Sequence, residues 1–578
     1  MKKFNYFLGL FLILPFFFTG FTTQKSQDKP KDFAEIIYKA LANGQKKIDI
    51  PKGVYTMEMK DGKPLTLDGL KDIEINAHGS EVNTRLASQA IEVTNCENIK
   101  ISGFSIDCDT LPFTQGKIVA IDKADRMWWE IEIMGGYPLG NLGKSMPDRV
   151  QIFDPKTNNL KKNLYTYFPG VFSKVEKVGE RRFRFEKKKK NPDSNEVLGD
   201  FVVMTLPSRG TRAHSVVTTK SKNIQYEDVI IYSGNCFGFF EDQCESNSYN
   251  RCQVNKKLND PKVAYPRLRS INADAFHSKG ATIGPKITNC ILMYHGDDCI
   301  AINTSFYKVL SGKGDVVDLA TNFRGIKMKV GNKLRFVDFE GKVVGDAKLV
   351  KIEATADYSK DDLSKLTEMF KGSRGGGREP SVTRLTLDHS VPVTTGGVVS
   401  SVDMGGSGFI VKNNKMGYTR ARGVLVKACD GVISGNTVIG CELGGIVLAP
   451  ELNWMEAGFS RNILIDHNTV IDCMFANSSY GIEQAAPISV IAVNSKETIV
   501  PCGGFKNITI TNNIIKNSPL PAMIITSVDG AIIKGNNITI SKDIVRTHGV
   551  KYGIENTKAI WTKNTANLTI NDKDNIIK

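Results

Sequence analysis

The stretch Arg461-Asn-Ile-Leu-Ile-Asp-His-Asn-Thr-Val470 shows the pattern that decides the fold of this chain. Apolar and polar residues alternate along it, which is typical of a strand with one buried face, and an asparagine-containing turn interrupts it. The pattern returns in Gly431-Val-Ile-Ser-Gly-Asn-Thr-Val-Ile439 and in Phe505-Lys-Asn-Ile-Thr-Ile-Thr-Asn-Asn-Ile514, and weaker copies begin at Cys96 and Ser221. The chain is therefore predicted to consist largely of repeated short strands.

The turn asparagines give the length of the repeat. Asn414 and Asn436 are 22 residues apart, and Asn513 and Asn537 are 24 residues apart. Repeats of this length indicate a solenoid. Because β-branched residues dominate and the L-x-x-L-x-L frame of leucine-rich repeats is absent, they favour a parallel β-helix. We predict an all-β fold, a right-handed parallel β-helix in which asparagine side chains stack and hydrogen-bond along the coils.

Three segments depart from the repeat. Asp32-Phe-Ala-Glu-Ile-Ile-Tyr-Lys-Ala-Leu-Ala42 has helical spacing and an N-cap candidate, so we expect a helix that caps the first coil. The segments 111–206 and 306–392 are rich in charges and turn residues, and each is predicted to form a small antiparallel β-barrel inserted into the solenoid. The predicted divisions are a signal peptide at 1–23, β-helix at 28–110, a barrel at 111–206, β-helix with the site at 207–305, a barrel at 306–392 and β-helix at 393–578.

The composition and the N-terminus narrow the class of protein. The chain has 578 residues, of which 41% are hydrophobic, and this excludes wholesale disorder. Lys2 and Lys3 precede an apolar run from Phe4 to Phe18 and a short polar exit, a pattern typical of a secretory signal peptide, with a membrane anchor as the alternative. We therefore predict a secreted or periplasmic protein that has no transmembrane segment after signal removal.

Charge and cysteine content bear on partners. The formal net charge is +15, which suits an acidic partner but does not by itself identify one. For an exported protein we expect an oligosaccharide or polysaccharide substrate and no nucleic acid. The 11 cysteines show no zinc-ligand spacing and are expected to be small buried residues, so neither a metal nor another cofactor is predicted.

Three aspartates carry the functional signal. Asp274 lies in Asn272-Ala-Asp-Ala-Phe-His277, and Asp297 and Asp298 lie in His295-Gly-Asp-Asp-Cys-Ile300. Asp274 and Asp297 are 23 residues apart, one turn of the predicted solenoid, so the two motifs should lie on adjacent coils with their carboxyl groups close together. Such crowding raises at least one pKa, as acid–base hydrolysis of a glycosidic bond requires. A calcium site, or turn residues that merely face solvent, is the alternative.

Two further motifs complete a resemblance to a known family. Arg420-Ala-Arg-Gly-Val-Leu-Val426 resembles the R-x-R-G-V/I-L segment, and Trp454-Met-Glu-Ala-Gly458 the W-x-E-x-G segment, of the exo-acting α-1,3-galactosidases of glycoside hydrolase family 110. The paired aspartates are also similar to those of polygalacturonases. The resemblance covers essentially the whole mature chain and implies a β-helix with two inserted barrels.

The resemblance also implies residue roles. Asp274, Asp297 and Asp298 would be catalytic, and by analogy with polygalacturonases Asp297 would be the general acid while the other two hold and activate water. A gap of roughly 6.5–9.5 Å between acid and base would predict inversion. The implied substrate-binding residues are Arg420, Arg422, Trp454 and Glu456.

These observations favour an exported, inverting glycoside hydrolase that removes terminal α-linked galactose. A hydrolase of an acidic polysaccharide, such as pectin or a sulfated galactan, is the first alternative. A polysaccharide lyase and a non-catalytic β-helix that binds calcium or a glycan also remain open.

Overall fold

The computed structural model describes residues 31–578 apart from 58–63, 85–88, 165, 192–193, 207–212, 322–324, 356, 360, 363, 365–380, 477–485, 495, 543–552 and 572. The predicted signal peptide, 1–23, lies outside the described residues. Within the described part of the chain, no helix is both long and apolar enough to cross a membrane.

A parallel β-helix forms the body of the protein, which confirms the predicted fold class. Each full coil contributes two short strands to one large sheet and one strand to a second sheet. In the described residues, the strands of the large sheet are Lys47–Asp49, Val54–Met57, Lys71–Thr84, Glu97–Cys108, Gln225–Ile231, Ser248–Asn250, Gln253–Val254, Lys286–Thr288, Ile291–Met293, Ile410–Lys412, Lys415–Thr419, Gly431–Ser434, Thr437–Cys441, Arg461–Asp466, Thr469–Ile471, Phe505–Thr511, Ile514–Ser518, Val528–Lys534, Asn537–Ile540, Ala566–Ile570 and Ile576–Ile577.

The second sheet runs beside the functional site. Its parallel strands are Leu65–Asp68, Ile91–Thr94, Val216–Thr219, Phe239–Asp242, Phe276–Lys279, Ile300–Ser305, Val424–Val426, Ile446–Leu448, Ile488–Val490, Met523–Thr526 and Ile560–Lys563. The short strand Glu456–Ala457 pairs antiparallel with Ile300–Ser305 and follows a 3-10 turn at Leu452–Trp454.

Stacked apolar side chains fill the interior of the coils. Ile433 pairs in register with Ile465, Ile465 with Ile510, and Ile510 with Ile533, and all four are fully buried. Burial of each such side chain stabilises the fold by about 1.5–3 kcal/mol. Nine of the eleven cysteines are also buried, in agreement with their expected role as small core residues.

The predicted asparagine stacking is present as a continuous ladder. The Oδ1 atom of each asparagine after the first accepts hydrogen bonds from the backbone N–H and the side-chain Nδ2 of the asparagine one coil earlier, at 2.9–3.0 Å. The members are Asn414, Asn436, Asn468, Asn513, Asn536 and Asn575. The ladder uses Asn536 rather than Asn537, because Asn537 is the first residue of the next strand and only half-buried.

The predicted N-terminal cap is confirmed. The helix Phe33–Ala42 begins after Asp32, whose Oδ1 accepts a hydrogen bond from the Glu35 backbone N–H at 3.1 Å. Phe33 and Ile37 are buried, and the ring of Phe33 lies 5.5 Å from that of Phe104 in the first coils. The helix therefore covers the apolar end of the solenoid.

Two antiparallel units interrupt the coils. The first differs from the barrel predicted for 111–206, because its two edge strands, Asn159–Leu160 and Phe172–Lys177, do not pair in the described residues. It is an open seven-stranded sheet of Phe113–Ile121, Trp128–Ile133, Val150–Asp154, Asn159–Leu160, Phe172–Lys177, Arg182–Lys187 and Phe201–Thr205, with a 3-10 turn at Pro169–Val171. The second is a closed barrel of Tyr307–Lys313, Val316–Thr321, Lys333–Val337, Val343–Ala354, Ser381–Leu387 and Val398–Ser401. Its last strand lies beyond residue 392, where the sequence placed the end of this segment, because that strand pairs with both Tyr307–Lys313 and Lys333–Val337.

The ladder makes a testable contribution to stability. Asn468 accepts two hydrogen bonds from Asn436 and donates to Ile433 O at 2.8 Å and to Asn513 Oδ1 at 3.0 Å. Asn468→Ala leaves these buried groups unpaired, and we expect the free energy of unfolding to fall by about 3 kcal/mol or more in denaturant titrations. The matched control Asn537→Ala changes a half-buried side chain and should stay within roughly 0.5 kcal/mol of the wild type. Equal losses in the free energy of unfolding for the two substitutions would contradict a stabilising role of the asparagine ladder.

Candidate active site

Strand register brings the three aspartates together. Phe276 pairs with Ile300 across two parallel strands, so Asp274 and Asp298, each two residues before its strand, lie side by side on adjacent coils. The 23-residue spacing would make Asp297 the register partner of Asp274. In the structure the partner is the next residue, Asp298. One oxygen from each of Asp274, Asp297 and Asp298 lies within 4.8 Å of the others. The predicted convergence of the carboxyl groups is thus present.

These carboxyl groups lie in a cavity of about 550 Å³, within the usual size range of small-molecule sites. All seven residues that the sequence singled out line it: Asp274, Asp297, Asp298, Arg420, Arg422, Trp454 and Glu456. The first inserted sheet supplies one wall through Met146, Arg149, Pro169 and Leu206. The cavity is therefore a pocket between solenoid and insertion.

Asp297 is held between two guanidinium groups. Its Oδ2 accepts a hydrogen bond from Arg149 Nη2 at 3.1 Å, and its Oδ1 accepts one from Arg420 Nη2. Arg149 also donates to the backbone oxygen of Asn272 at 2.7 Å, so it connects the insertion to both aspartate motifs. Burial works to raise the pKa of Asp297, but Arg420 and Arg149 outweigh it and the pKa lies below its usual value.

The pKa of Asp298 is set by a different balance of burial and neighbouring charges. Its Oδ1 accepts the backbone N–H of Arg422 at 3.0 Å, and its Oδ2 accepts Arg422 Nη1 at 2.8 Å. Burial raises the pKa of Asp298, and the neighbouring carboxylates of Asp297 and Asp274 add to this, whereas Arg422 opposes it. The resulting pKa is about 7, close to neutral pH.

Asp274 is as deeply buried as Asp298. Its Oδ2 contacts Nδ1 of His277 at 2.7 Å, and both side chains are buried. Burial raises the pKa of Asp274 well above its usual value, and the negative charges of Asp297 and Glu456 raise it further. The proton affinity of the site is therefore greatest at Asp274 and Asp298 and least at Asp297.

The two arginines expected to bind substrate each contact an aspartate and a second protein group. Arg420 donates Nε to Gly296 O at 2.9 Å as well as contacting Asp297, and Arg422 donates Nη2 to Glu451 at 2.6 Å as well as Nη1 to Asp298. Both arginines are buried. Their hydrogen bonds thus hold the aspartates in position, a structural role in addition to the substrate binding that the resemblance implies.

Trp454 and Glu456 line the same pocket. The side chain of Glu456 accepts Lys427 Nζ at 2.9 Å and Asn303 Nδ2 at 3.3 Å. Burial opposes ionisation of Glu456, but Lys427 outweighs it and lowers the pKa of the carboxyl. Trp454 is 53% exposed at the edge of the pocket, where an aromatic face can pack against a sugar ring.

The hydrogen-bonded set around the pocket contains one more carboxyl group than cation. The carboxyls belong to Asp274, Asp297, Asp298, Glu451 and Glu456, and the cations to Arg149, Arg420, Arg422 and Lys427. Within these ion pairs, the raised pKa values of Asp274 and Asp298 favour retention of a proton by the aspartates.

Sequence reasoning missed several residues of this set. Arg149 belongs to the insertion and lies 148 residues before Asp297, so no spacing linked the two. His277 stood inside the quoted motif, three residues after Asp274, and that spacing was a usable signal. Lys427 and Glu451 carried no pattern of their own.

The three aspartates bring carboxylate oxygens as close together as a metal site would, but the contacts of these oxygens work against a calcium ion. Calcium takes six to eight oxygen ligands, whereas the oxygens of Asp297 and Asp298 already face the guanidinium groups of Arg149, Arg420 and Arg422. A divalent cation between these carboxyl groups would meet three fixed positive charges.

This arrangement predicts indifference to calcium. We expect the melting temperature to stay within about 1 °C between EDTA and millimolar calcium chloride, because no calcium ion should bind. A bound ion at 100 times its Kd would instead add about 2.7 kcal/mol of stability and raise the melting temperature. Differential scanning calorimetry measures this. A calcium-dependent increase that disappears in Asp297→Asn would contradict the prediction.

Fold and site together define a parallel β-helix protein with a three-carboxyl pocket. The chain is 24% identical over 536 residues to alpha-1,3-galactosidase B of Phocaeicola vulgatus, covering 88% of this chain and 84% of that protein. It is 23% identical over 526 residues to alpha-1,3-galactosidase B of Bacteroides thetaiotaomicron, covering 87% of this chain and 80% of that protein. The resemblance to α-1,3-galactosidases predicted from the motifs is confirmed. No family model matches the chain.

Two solved structures also match this chain. The catalytic domain of a GH87 alpha-1,3-glucanase matches with a TM-score of 0.42 and 9% identity over 94% of this chain and 67% of that chain. The family 28 exopolygalacturonase of Yersinia enterocolitica matches with a TM-score of 0.39 and 10% identity over 94% of this chain and 77% of that chain.

Proposed function

We propose that this chain is a glycoside hydrolase that removes terminal α-linked galactose, and α-1,3-linked galactose first of all, by inversion. The observation that carries the proposal is the cluster of three carboxyl groups within 4.8 Å in a walled pocket. The name of the relatives, alpha-1,3-galactosidase, supports the sugar and the linkage. Export rests on the segment 1–23 and remains a prediction.

The charge balance supports a particular division of roles. Asp297 stays ionised between Arg149 and Arg420 and faces the positive charge that develops at the anomeric carbon. Asp274 and Asp298 share one proton, so one of them protonates the leaving oxygen while the other takes a proton from the attacking water. This differs from the polygalacturonase analogy, in which Asp297 is the acid, because two guanidinium groups disfavour a proton on Asp297.

The spacing supports a shared water. A water makes hydrogen bonds of about 2.8 Å, so two oxygens up to roughly 5.5 Å apart can hold it between them, and the present separations lie within 4.8 Å. They are shorter than the roughly 6.5–9.5 Å between the acid and base of many inverting enzymes. Inversion in this pocket therefore has the water held between Asp297 and whichever of Asp274 and Asp298 is the base, while the other of the two, the acid, faces the leaving oxygen on the opposite side of the sugar.

The pocket suits a neutral sugar better than a uronic acid or a sulfated sugar. Each of the three arginines that line it, Arg149, Arg420 and Arg422, already has a carboxylate partner within 3.1 Å. An anionic substrate would have to displace one of these buried pairs, which leaves a charge without its partner. The acidic-polysaccharide alternative, which the net charge of +15 suggested, finds no matching group among the described residues that line this pocket.

A product assay tests the proposed function. We expect release of free galactose from an α-1,3-linked galactosyl disaccharide, with the β-anomer appearing first in proton NMR spectra because a single displacement inverts the configuration. The control substrates are α-1,4- and α-1,6-linked galactosides and polygalacturonate. Reducing ends from polygalacturonate without release of galactose would contradict the substrate class, and α-galactose as the first product would contradict inversion.

Leaving-group chemistry tests the division of roles. Asn substitution at each aspartate should lower kcat/KM for the disaccharide by about 10² or more. A dinitrophenyl α-galactoside needs no proton on its leaving group, so it should restore much of the rate to the variant that lacks the general acid. We expect that variant to be either Asp274→Asn or Asp298→Asn, and we expect no such recovery for Asp297→Asn. The assay is release of dinitrophenolate, with circular dichroism as a check of folding. Rescue of Asp297→Asn alone would assign the acid to Asp297 instead.

A further inference from the structure

We propose that His277 is a positioning residue for Asp274: as a neutral imidazole with its proton on Nδ1, it fixes Oδ2 of Asp274 and leaves the other carboxyl oxygen to the reaction. This inference deepens the proposed function and rests on it. It concerns a residue that lies beside the three aspartates and lines the same pocket.

The hydrogen bonds of His277 define its tautomer. Nδ1 lies 2.7 Å from Asp274 Oδ2, and Nε2 lies 3.1 Å from Asn303 Nδ2. An amide NH₂ can only donate, so Nε2 must accept, and the single ring proton is therefore on Nδ1, where it is donated to Asp274.

The orientation of the Asn303 amide is fixed in turn by a carboxylate. Asn303 Nδ2 also donates to Glu456 Oε2 at 3.3 Å. Rotation of the amide by half a turn would place its oxygen against that carboxylate, which is repulsive. Glu456 thus determines the direction of the amide, the amide determines the tautomer of His277, and His277 determines the rotamer of Asp274.

Packing holds the ring in place and keeps it neutral. The imidazole stacks on Phe237, with ring centroids 4.7 Å apart and planes at 12°, and only 6% of His277 is exposed. Burial lowers the pKa of His277 to about 4; Glu456 and Asp298 oppose this, whereas Lys279 and Lys427 add to it. The imidazole is therefore uncharged at the pH values at which Asp298 changes its protonation.

The same hydrogen bonds continue around the pocket to the second proton-sharing carboxyl group. Glu456 accepts Lys427 Nζ at 2.9 Å, and Lys427 also donates to Glu451 at 2.9 Å. Glu451 accepts Arg422 Nη2 at 2.6 Å, and the chain ends at Asp298 through Arg422 Nη1. Asp274 and Asp298 are thus the two ends of one buried network, and each is oriented by it from behind.

Substitution of His277 tests the hydrogen bond separately from the packing. His277→Phe keeps a ring against Phe237 but removes the donor, and we expect kcat for the α-galactoside to fall roughly 10²-fold with KM within about 3-fold of the wild type. His277→Asn restores an N–H close to the position of Nδ1, and it should recover at least about 10-fold of that loss. The matched control is His214→Phe, because His214 also stacks on Phe237, with centroids 4.5 Å apart, and does not line the pocket. It should retain wild-type kcat.

A second measurement does not depend on activity. In ¹⁵N-histidine NMR spectra, with the signal assigned through His277→Asn, we expect His277 to be the Nδ1–H tautomer and to remain neutral from pH 5 to pH 8. An Nε2–H tautomer or an imidazolium at pH 6 would overturn the inference even if His277→Phe does not fold.

The two proposals fail in different ways. If the wild type releases no galactose, the proposed function fails, and the NMR spectra alone decide the role of His277. If the wild type is active and His277→Phe has an unchanged kcat, or if His277→Asn is no better than His277→Phe, the positioning role is wrong while the function stands.

Discussion

The hydrogen bonds between adjacent coils hold Asp274 and Asp298 one strand spacing apart, and the rest of the site is organised around that constraint. Strands in a sheet are about 4.8 Å apart, so two residues at the same register position cannot separate unless the hydrogen bonds between the two strands break. The next coil brings Arg422 to the same register position, because Val424 pairs with Ile300. The architecture that crowds the negative charges thus also supplies a cation to balance them.

The insertion completes this balance from outside the solenoid. Arg149 reaches Asp297 and the backbone of Asn272, so the first inserted sheet is both a wall of the pocket and a source of one of its charges. Removal of a cation from such a set leaves a buried carboxylate without its partner, which is more costly than the absence of the pair. The site therefore needs residues from both the insertion and the coils.

Part of this arrangement was predictable from sequence because it is encoded locally. Alternation of apolar and polar residues and the turn asparagines report strands and coil length directly, and 24 residues separate the register partners Asp274 and Asp298. The next coil lies 124 residues further on at Arg422, because the second barrel intervenes, so spacing could not show that Arg422 stacks on Asp298. The one-residue difference between Asp297 and Asp298 as the partner of Asp274 was equally invisible, since coil lengths vary by a residue or two.

The central claim is that three carboxyl groups held together by coil register retain one proton near neutral pH. Infrared difference spectra of the free protein, wild type minus Asp298→Asn, measure it through the C=O stretch of a protonated carboxyl group. The account predicts that this band is present at pH 6 and disappears as the pH rises through about 7, the pKa of Asp298. Absence of the band at pH 6 would mean that Asp298 carries no proton there, and would contradict the account.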